Sequence, residues 1–355
     1  MAVHCYTSFT FSYLAKARVL AATLKRHHPD WILWAVITDR APEGFDFDPA
    51  EEEFDRVVWA HEMFAESWLF GHDVVEACTA VKGKALQLLL DQPDCEKAFY
   101  FDPDIAVFGP LDPLAEALDP GPDGASILLT PHQVDPEGPR SAVIDNEVAS
   151  LAYGTYNLGF IAVLNDAEGR RCADWWAERL RDWCHDRLDI GVFVDQKWCN
   201  QIPAFFDRVR IIRDPGYNVA SWNLGRRRID ITPEGDILIN GAHRLRFFHF
   251  TKLGPIGDAM TQRYARDNVE VYEIWAWYRM KVEAFTDPRI PKGWWHYAAF
   301  ENGMPIAKPM RVLYRERRDL QAAFPDPRAT GENSYLNWMR AETALLGGLA
   351  EEPAQ

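Results

Sequence analysis

The sequence at residues 97–104 reads Lys97-Ala98-Phe99-Tyr100-Phe101-Asp102-Pro103-Asp104. Its first five residues have the apolar, β-prone composition of a strand buried inside a sheet. Two carboxylates, Asp102 and Asp104, follow the strand directly and are one residue apart. In open α/β sheets, ligands bind at the carboxyl ends of the strands. The stretch therefore predicts an α/β fold with an acidic binding site at the end of this strand.

The spacing Asp-x-Asp is weak on its own, and the chain contains a second instance at Asp46-Phe47-Asp48. That instance lies in an acidic segment, residues 42–55, which contains Pro42 and Pro49 and has no apolar strand before the aspartates. We interpret it as solvated surface. The strand context is what distinguishes Asp102 and Asp104.

Two neighbouring carboxylates are suited to a hard divalent cation, and Mg²⁺ or Mn²⁺ completes its coordination with water and phosphate oxygens. His249 is a candidate third ligand, since it lies near the end of a predicted strand at residues 246–250. Lys252 and Gly254 follow it and offer a cation and an exposed backbone amide to a diphosphate. Alternatively, His249 is a hydrogen-bonded core histidine, and Asp102-Pro103 only begins a turn.

The opening of the chain predicts a β-α-β unit. Residues 3–7 form a short β-prone segment, apolar residues recur at helical spacing over residues 13–24, and residues 31–37 are a continuous apolar run. This order implies a mostly parallel central sheet flanked by helices. Residues 131–153 are polar and predict an irregular, mobile loop near a site. After about residue 255 the pattern becomes helical, so we expect a main domain at residues 1–255 and a mostly helical C-terminal extension at residues 256–355.

Composition restricts the class of protein. The 355 residues are 48% apolar and 26% charged, as in ordinary globular proteins, and the net charge of −15 disfavours binding to a nucleic-acid backbone. No run of 18 apolar residues predicts a membrane span, and the N-terminus has the pattern of a strand rather than a signal peptide. The six scattered cysteines predict neither a zinc site nor a disulfide framework. We expect a cytoplasmic protein, with a peripheral membrane contact left open.

Further motifs follow one another over residues 1 to about 255. After an opening strand and an Arg18-bearing helix, they are Ala80-Val81-Lys82, the segment from Tyr100 to Phe108, Tyr156-Asn157-Leu158-Gly159-Phe160, Val194-Asp195-Gln196 and His249-Phe250-Thr251. Together they resemble the GT-A fold glycosyltransferases that use nucleotide sugars, in particular the family-8-like retaining enzymes and related bacterial polysaccharide transferases. Two positions depart from the family pattern. The family often has a glycine three residues after the histidine, whereas this chain has Lys252 there and a glycine only at Gly254. Lys82 and Lys84 stand where family 8 usually has an arginine.

The resemblance implies a role for each motif. Asp102, Asp104 and His249 would hold the metal, with Asp102 also near the ribose. The remaining candidates are Thr7, Ser8 and Asp39 for the nucleoside, Lys82, Lys252 and Gly254 for the diphosphate or donor sugar, and Asn157, Asp195 and Gln196 beside the anomeric carbon. Structural alternatives remain for two motifs, because Asn157 is also suited to a turn and Asp195-Gln196 to a helix cap. Residues 213–223, which include Trp222, are a candidate contact for donor or acceptor.

The function expected from the resemblance is metal-dependent transfer of a hexosyl group, with a UDP-hexose favoured as donor, to a glycan, lipid-linked or protein acceptor in surface glycan assembly. A nucleotidyltransferase that makes sugar nucleotides is an alternative, although residues 7–12 lack the glycine-rich loop of that class. A non-catalytic scaffold that binds nucleotide sugars or glycans is a second alternative. Spacing alone does not exclude a glycoside hydrolase.

Overall fold

The computed structural model describes residues 2–346. Its strands are β1 (Ala2–Phe9), β2 (Ile32–Ile37), β3 (Arg56–Trp59), β4 (Cys95–Phe101), β5 (Ile105–Val107), β6 (Ile127–Pro131), β7 (Tyr156–Leu164), β8 (Asp186–Arg187), β9 (Val192–Phe193), β10 (Val209–Ile211), β11 (Val219–Ala220), β12 (Ile229–Ile231), β13 (Ile237–Ile239), β14 (His243–Arg244) and β15 (Phe247–His249).

The α-helices are α1 (Leu14–His27), α2 (Ala60–Met63), α3 (Glu66–Phe70), α4 (Val74–Leu90), α5 (Asp112–Ala117), α6 (Arg140–Ala142), α7 (Ala149–Tyr153), α8 (Ala167–Trp183), α9 (Ile202–Phe205), α10 (Pro255–Ala265), α11 (Val269–Ala284), α12 (Lys308–Glu316), α13 (Arg318–Ala323) and α14 (Tyr335–Leu346). A π-helix at Val143–Val148 joins α6 to α7.

Seven strands form the central sheet in the order β10-β6-β7-β4-β1-β2-β3. The pairs β10–β6, β4–β1, β1–β2 and β2–β3 are parallel, and only β7 runs antiparallel to its neighbours β6 and β4. The predicted class, α/β with a mostly parallel central sheet flanked by helices, is confirmed. Strand β4 lies in the middle of the sheet and is covered on both faces. The residues that follow it therefore emerge at the end of a buried strand.

Alternate residues of β4 supply two separate cores. Tyr100 packs with α4 and α8 on one face, whereas Phe99 and Phe101 pack with α1 on the other. Burial of such apolar side chains stabilises the fold by roughly 1.5–3 kcal/mol each. This arrangement explains why the strand has no polar alternation: water reaches neither face.

Three small strands form a second sheet in the order β11-β15-β5. Strand β5 begins only four residues after β4 ends, and β15 pairs antiparallel with it. Sequence patterns did not predict β5, because three residues are too few for any periodicity. This sheet places the chain near residue 249 beside the end of β4.

The described part of residues 256–355 is mostly helical, as predicted, and residues 347–355 lie outside the described residues. Helix α11 packs against α1 through a cluster that includes Val19, Trp275 and Tyr278. Helices α12–α14 form a separate aromatic cluster with Phe70 of α3. The division into two domains at residue 255 stays a prediction. Within residues 2–346, no helix is both long and apolar enough to cross a membrane.

The prediction of an irregular loop at residues 131–153 was wrong for its second half, which is helical from Arg140 to Tyr153. This segment is held largely by polar contacts, although Ala142 packs into a hydrophobic cluster. Asp145 accepts hydrogen bonds from Arg263 and Tyr264 of α10, and Asn146 donates to Glu137. Its apolar residues Ile144 and Leu151 remain exposed, which is why hydrophobic periodicity gave no helical signal.

Gly83 allows α4 and α8 to pack closely. A Cβ at this position would lie 2.6 Å from Cα of Ala177. We expect Gly83→Ala to lower the free energy of unfolding by about 1–3 kcal/mol through overpacking, although alanine favours helices. Urea denaturation measures this change. The matched control is Gly331→Ala, where nothing lies within 4 Å of the new Cβ. Equal effects of the two substitutions would contradict the close contact.

Glu76 joins α4 to the C-terminal helices. Its carboxylate is buried and contacts Arg315 at 2.8 Å and Lys308 at 3.4 Å. Burial raises the pKa of Glu76, but Arg315, backbone amides and Lys308 outweigh it and lower the pKa to about 2. A carboxyl with a depressed pKa contributes stability above its ordinary value of 4.5, and this contribution is lost as the pH falls towards about 2.

We therefore expect Glu76→Gln to destabilise the fold by about 3–5 kcal/mol at neutral pH, because it leaves the largely buried Arg315 guanidinium without its carboxylate. The difference from the wild type should shrink below about pH 4.5, as measured by thermal unfolding against pH. Asp91→Asn is the control, since the Asp91–Arg170 pair is exposed and worth less than about 1 kcal/mol. A pH-independent difference would show that the charge of Glu76 does not matter.

Candidate functional site

The turn after β4 aims two carboxylates in one direction. Asp102 N donates to the Gly159 carbonyl of β7 (2.8 Å), which extends the β4–β7 pairing by one residue. The Asp102 carbonyl then accepts from Ile105 N (3.0 Å), so residues 102–105 form a tight turn around Pro103. Asp104 is buried and Asp102 is half-buried. By contrast, Asp46 and Asp48 are exposed, as their surface interpretation predicted.

Strand pairing brings His249 to these carboxylates. In the β5–β15 register, His249 lies opposite Ile105, the residue after Asp104. Its Nε2 lies 3.0 Å from Oδ1 of Asp104 and 3.6 Å from Oδ2 of Asp102. One ligand atom from each of the three residues lies within 4.8 Å of the other two. The three predicted metal ligands therefore form one cluster.

Asn157, at the start of β7, holds the histidine ring. Its Oδ1 accepts from Nδ1 of His249 (3.2 Å), from Gly159 N (3.1 Å) and from Nδ2 of Asn218 (2.9 Å). With Nδ1 engaged as a donor, Nε2 is turned towards the carboxylates, as in metal-binding histidines that are fixed by an outer partner. Gly159 makes room for the ring, because a Cβ there would lie 2.5 Å from Cε1 of His249.

The charges of this cluster compensate one another. Burial lowers the pKa of His249, but Asp104 and Asp102 outweigh it and raise the pKa above its ordinary value. Burial raises the pKa of Asp104, but His249 and Lys16 outweigh it and lower the pKa. Two carboxylates and an imidazole nitrogen are a ligand set that fits Mn²⁺ or Mg²⁺, with room for oxygen ligands to complete the coordination.

The ammonium of Lys82, from α4, lies against the carboxylates of Asp102 and Asp195. Its Nζ lies 2.8 Å from Oδ2 of Asp195 and 3.1 Å from Oδ1 of Asp102, and it donates to the Leu158 carbonyl (3.0 Å). It also lies 4.2 Å from the centre of the Tyr100 ring. Burial lowers the pKa of Lys82, but Asp102 and Asp195 outweigh it and raise the pKa. The ammonium therefore neutralises protein carboxylates here.

Ser8 joins the cluster through Tyr100. The Tyr100 hydroxyl donates to Oδ1 of Asp102 (2.6 Å) and is 3.0 Å from the Ser8 hydroxyl, which donates to the Cys78 carbonyl (2.7 Å). Thr7 points to the other face of the sheet, and its buried hydroxyl has no hydrogen-bond partner among the described residues. Of the two residues predicted to contact the nucleoside, Ser8 is thus the one connected to Asp102.

Asp39 lies at the end of β2, away from these contacts. Its carboxylate accepts from the backbone amides of Phe11 (3.1 Å), Arg40 (2.9 Å) and His296 (2.7 Å). It therefore ties the turn after β1 to the C-terminal extension. Arg18, which the motif comparison placed in the opening helix, pairs with Glu52 rather than with the cluster.

Asp195 and Gln196 adjoin the cluster from another segment. Asp195 is buried against Lys82, and burial raises its pKa although Lys82 acts in the opposite direction. Oε1 of Gln196 accepts from Leu158 N (3.2 Å) and lies 3.4 Å from Nδ2 of Asn157, while its Nε2 donates to the Tyr153 carbonyl (3.1 Å). Gln196 thus connects the start of β7 to the end of α7.

Lys252 and Gly254 lie just after β15. Lys252 is exposed and has a left-handed backbone with φ of 53°. Gly254, with φ of 134°, precedes the first turn of α10. The described contacts do not join either residue to the carboxylates, so their assignment to the diphosphate stays a prediction.

Sequence reasoning missed one charged neighbour of the cluster. Lys16 of α1 is half-buried, its Nζ lies 3.6 Å from the centre of the Tyr13 ring, and its charge acts on Asp104. It belongs to the polar face of α1, which looked like ordinary solvated surface. The Trp222 ring packs edge-on against His249, with centroids 5.3 Å apart. The position of Trp222 within residues 213–223 did mark it as a candidate contact.

The structure thus defines an α/β protein with two carboxylates and an oriented histidine at the end of a central strand. No protein-family profile matches the chain. The chain is 23% identical over 261 residues to the uncharacterized protein YfnD of Bacillus subtilis, an alignment that covers 70% of this chain and 77% of YfnD.

Several solved structures are similar in fold. The galactosyltransferase LgtC, solved with donor and acceptor sugar analogues, is 15% identical, with a TM-score of 0.47 over 82% of this chain and 98% of LgtC. Mouse xyloside xylosyltransferase 1 is 13% identical, with a TM-score of 0.42 over 72% of this chain and 99% of that protein. A glycosyltransferase that glycosylates the major capsid of PBCV-1 is 11% identical, with a TM-score of 0.40 over 74% of this chain and 98% of that protein. At these levels the likenesses do not by themselves assign an activity.

Removal of the Lys82 charge tests the ion network. We expect Lys82→Met to lower the free energy of unfolding by about 3–5 kcal/mol, because Asp195 becomes a buried, unpaired carboxylate. Adding Asp195→Asn should restore part of this loss, as measured by urea denaturation. Lys84→Met, on the same helix and outside the network, should change stability by less than about 0.5 kcal/mol. An additive double variant would contradict the coupling of Lys82 and Asp195.

Proposed function

We propose that this protein is a GT-A glycosyltransferase that moves a hexosyl group from a nucleotide sugar to an acceptor hydroxyl with the help of Mn²⁺ or Mg²⁺. The observation that carries the proposal is the cluster of Asp102, Asp104 and His249 at the carboxyl end of β4, with Nε2 of the histidine turned towards both carboxylates. Asn157 contributes to this orientation by accepting from Nδ1 of the ring.

Each of the three ligands would have a definite task. Asp102, Asp104 and His249 would hold the cation, and when bound it would neutralise the negative charge of the departing nucleoside diphosphate. The Lys82 ammonium contacts Oδ1 of Asp102, and the Tyr100 hydroxyl donates to the same oxygen at 2.6 Å. These contacts fix the carboxylate before any ligand arrives, which favours catalysis by orientation.

Additional positive charge for the diphosphate would come from Lys16. Its ammonium has no carboxylate ion pair among the described residues, although its charge is felt at Asp104. Lys252, exposed after β15, is the other candidate cation. We assign the phosphates to the space above Asp104 for this reason, between α1 and the end of β15.

The donor sugar is assigned to Asn157, Asp195 and Gln196, which adjoin the cluster through Lys82 and His249. The nucleoside is assigned to the ends of β1 and β2, with Thr7, Ser8 and Asp39 as its candidate contacts. A UDP-hexose donor, a glycan, lipid-linked or protein acceptor and a role in surface glycan assembly complete the proposal and are supported by the motif resemblance. We also propose a cytoplasmic location, which rests on sequence composition and not on the motifs.

The test is turnover of a panel of nucleotide sugars in the presence of Mn²⁺ or Mg²⁺, with release of nucleoside diphosphate as the readout. We expect chelation to abolish turnover and added Mn²⁺ to restore it. Asp104→Asn should reduce turnover by about 100-fold or more, because metals contribute several kcal/mol to such reactions. Mn²⁺ should raise the melting temperature of the wild type and not of this variant.

Asp46→Asn is the matched control, since it alters the other Asp-x-Asp sequence, which is exposed. It should turn over at the wild-type rate. Metal-independent turnover, or an Asp104→Asn variant as active as the wild type, would refute the proposal. Release of pyrophosphate from a nucleoside triphosphate and a sugar phosphate would instead identify a nucleotidyltransferase.

A further inference from the structure

The structure contains a polar hollow that shares no residue with the carboxylate cluster. It has a volume of about 350 Å³, in the range of sites for small ligands. We call it the arginine hollow; it is lined by residues 224–228, Asn240 and residues 264–268. Four arginines belong to this lining, Arg226, Arg227, Arg228 and Arg266. For a chain with a net charge of −15, this is an unusual concentration of positive charge.

Arg227 is the buried member, with only 2% of its surface exposed. Its Nη1 donates to the carbonyls of Pro215 (3.0 Å) and Tyr217 (2.7 Å), while its Nε has no hydrogen-bond partner among the described residues. No carboxylate within residues 2–346 forms an ion pair with it. Burial lowers the pKa of Arg227 to about 10, although Asp214 and Asp135 act in the opposite direction. A buried cation without an ion pair is costly unless an anion approaches it.

The three exposed arginines are also poorly compensated. Arg226 reaches Glu137 only at 3.9 Å, and Arg228 lies 3.6 Å from Asp230 and 3.9 Å from Asp267. Arg266 has no ion pair among the described residues. Elsewhere on the surface, arginines pair more tightly, as Arg170 does with a carboxylate at 2.9 Å. Arg226 also donates to the Pro136 carbonyl (2.6 Å), so Arg228 and Arg266 are the arginines of the hollow whose guanidinium groups make no hydrogen bond among the described residues.

The hollow is close to the carboxylate cluster. Trp222, which packs on His249, precedes the lining residues Leu224 and Gly225 by two and three positions. Three residues span at most about 11 Å. A ligand of a few sugar units is long enough to occupy both.

We propose that the arginine hollow binds a phosphate- or carboxylate-bearing ligand, and that this ligand is the acidic end of the glycosyl acceptor. Guanidinium groups are the side chains best suited to oxyanions, because their N–H donors bind two oxygens at once. The first half of the proposal rests on the hollow alone. The second half rests on the proposed function, since only a transferase has an acceptor.

Calorimetric binding of glucose 6-phosphate, glucose and inorganic phosphate tests both halves. We expect glucose 6-phosphate to bind, glucose not to bind, and inorganic phosphate to bind more weakly than glucose 6-phosphate because it lacks the sugar. The double variant R226Q/R266Q should weaken glucose 6-phosphate binding by about tenfold or more. Arg26→Gln, which removes an exposed arginine of α1 outside the hollow, should leave binding unchanged.

Both substituted arginines are exposed, so R226Q/R266Q should remain folded, which its thermal unfolding measures. Failure of glucose 6-phosphate to bind, or equal binding by the double variant, overturns the site. If inorganic phosphate binds as tightly as glucose 6-phosphate, the assignment of the ligand as the acidic end of the acceptor is overturned, and the hollow is a site for free anions. Asp104→Asn should reduce donor turnover by about 100-fold or more yet retain glucose 6-phosphate binding. Failure of the proposed function can therefore be distinguished from failure of the anion site.

Discussion

The contact between the Lys82 ammonium and the carboxylates of Asp102 and Asp195 is the interaction on which the rest of the site depends. Three aspartates, counting Asp104, are gathered where little water reaches them. Two unit charges 4 Å apart interact by about 4 kcal/mol at an effective dielectric constant of about 20. Without compensation, repulsion of this size would drive the carboxylates apart or protonate them. Lys82 and His249 offset the negative charge of these carboxylates.

The fold brings these charges together from separate elements. Lys82 comes from a helix on one face of the sheet, Asp102 from the end of the central strand, and His249 from a strand paired to β5. Each element is short or rigid where it approaches the cluster. Gly83 lets α4 pack against α8, next to the lysine, and Gly159 leaves space for the histidine ring. Positions that look like simple packing are therefore what fixes the distances between charges.

Sequence predicted the elements of the sheet well, because β2 is a continuous apolar run, β4 ends in four consecutive apolar residues and β1 is β-prone. It also predicted the Asp102–Asp104–His249 cluster, from strand context and the order of motifs. It missed what depends on distant pairing. Strand β5 is too short to show a period, and Lys16 looks like surface until α1 is placed beside Asp104. The helix at Arg140–Tyr153 was missed because its contacts are polar, and hydrophobic periodicity does not detect such contacts.

The charge balance also constrains the order in which ligands arrive. In the proposed function, a diphosphate that approached the end of β4 without a cation would meet Asp102 and Asp104, whose charges Lys82 offsets only in part because it also pairs with Asp195. A divalent cation would add positive charge at this point, so under the proposed function we expect it to bind before or together with the donor. The arginine hollow carries its own positive charge and needs no metal to receive an anion. The two sites are therefore expected to differ in their response to metal, even though a few residues separate them along the chain.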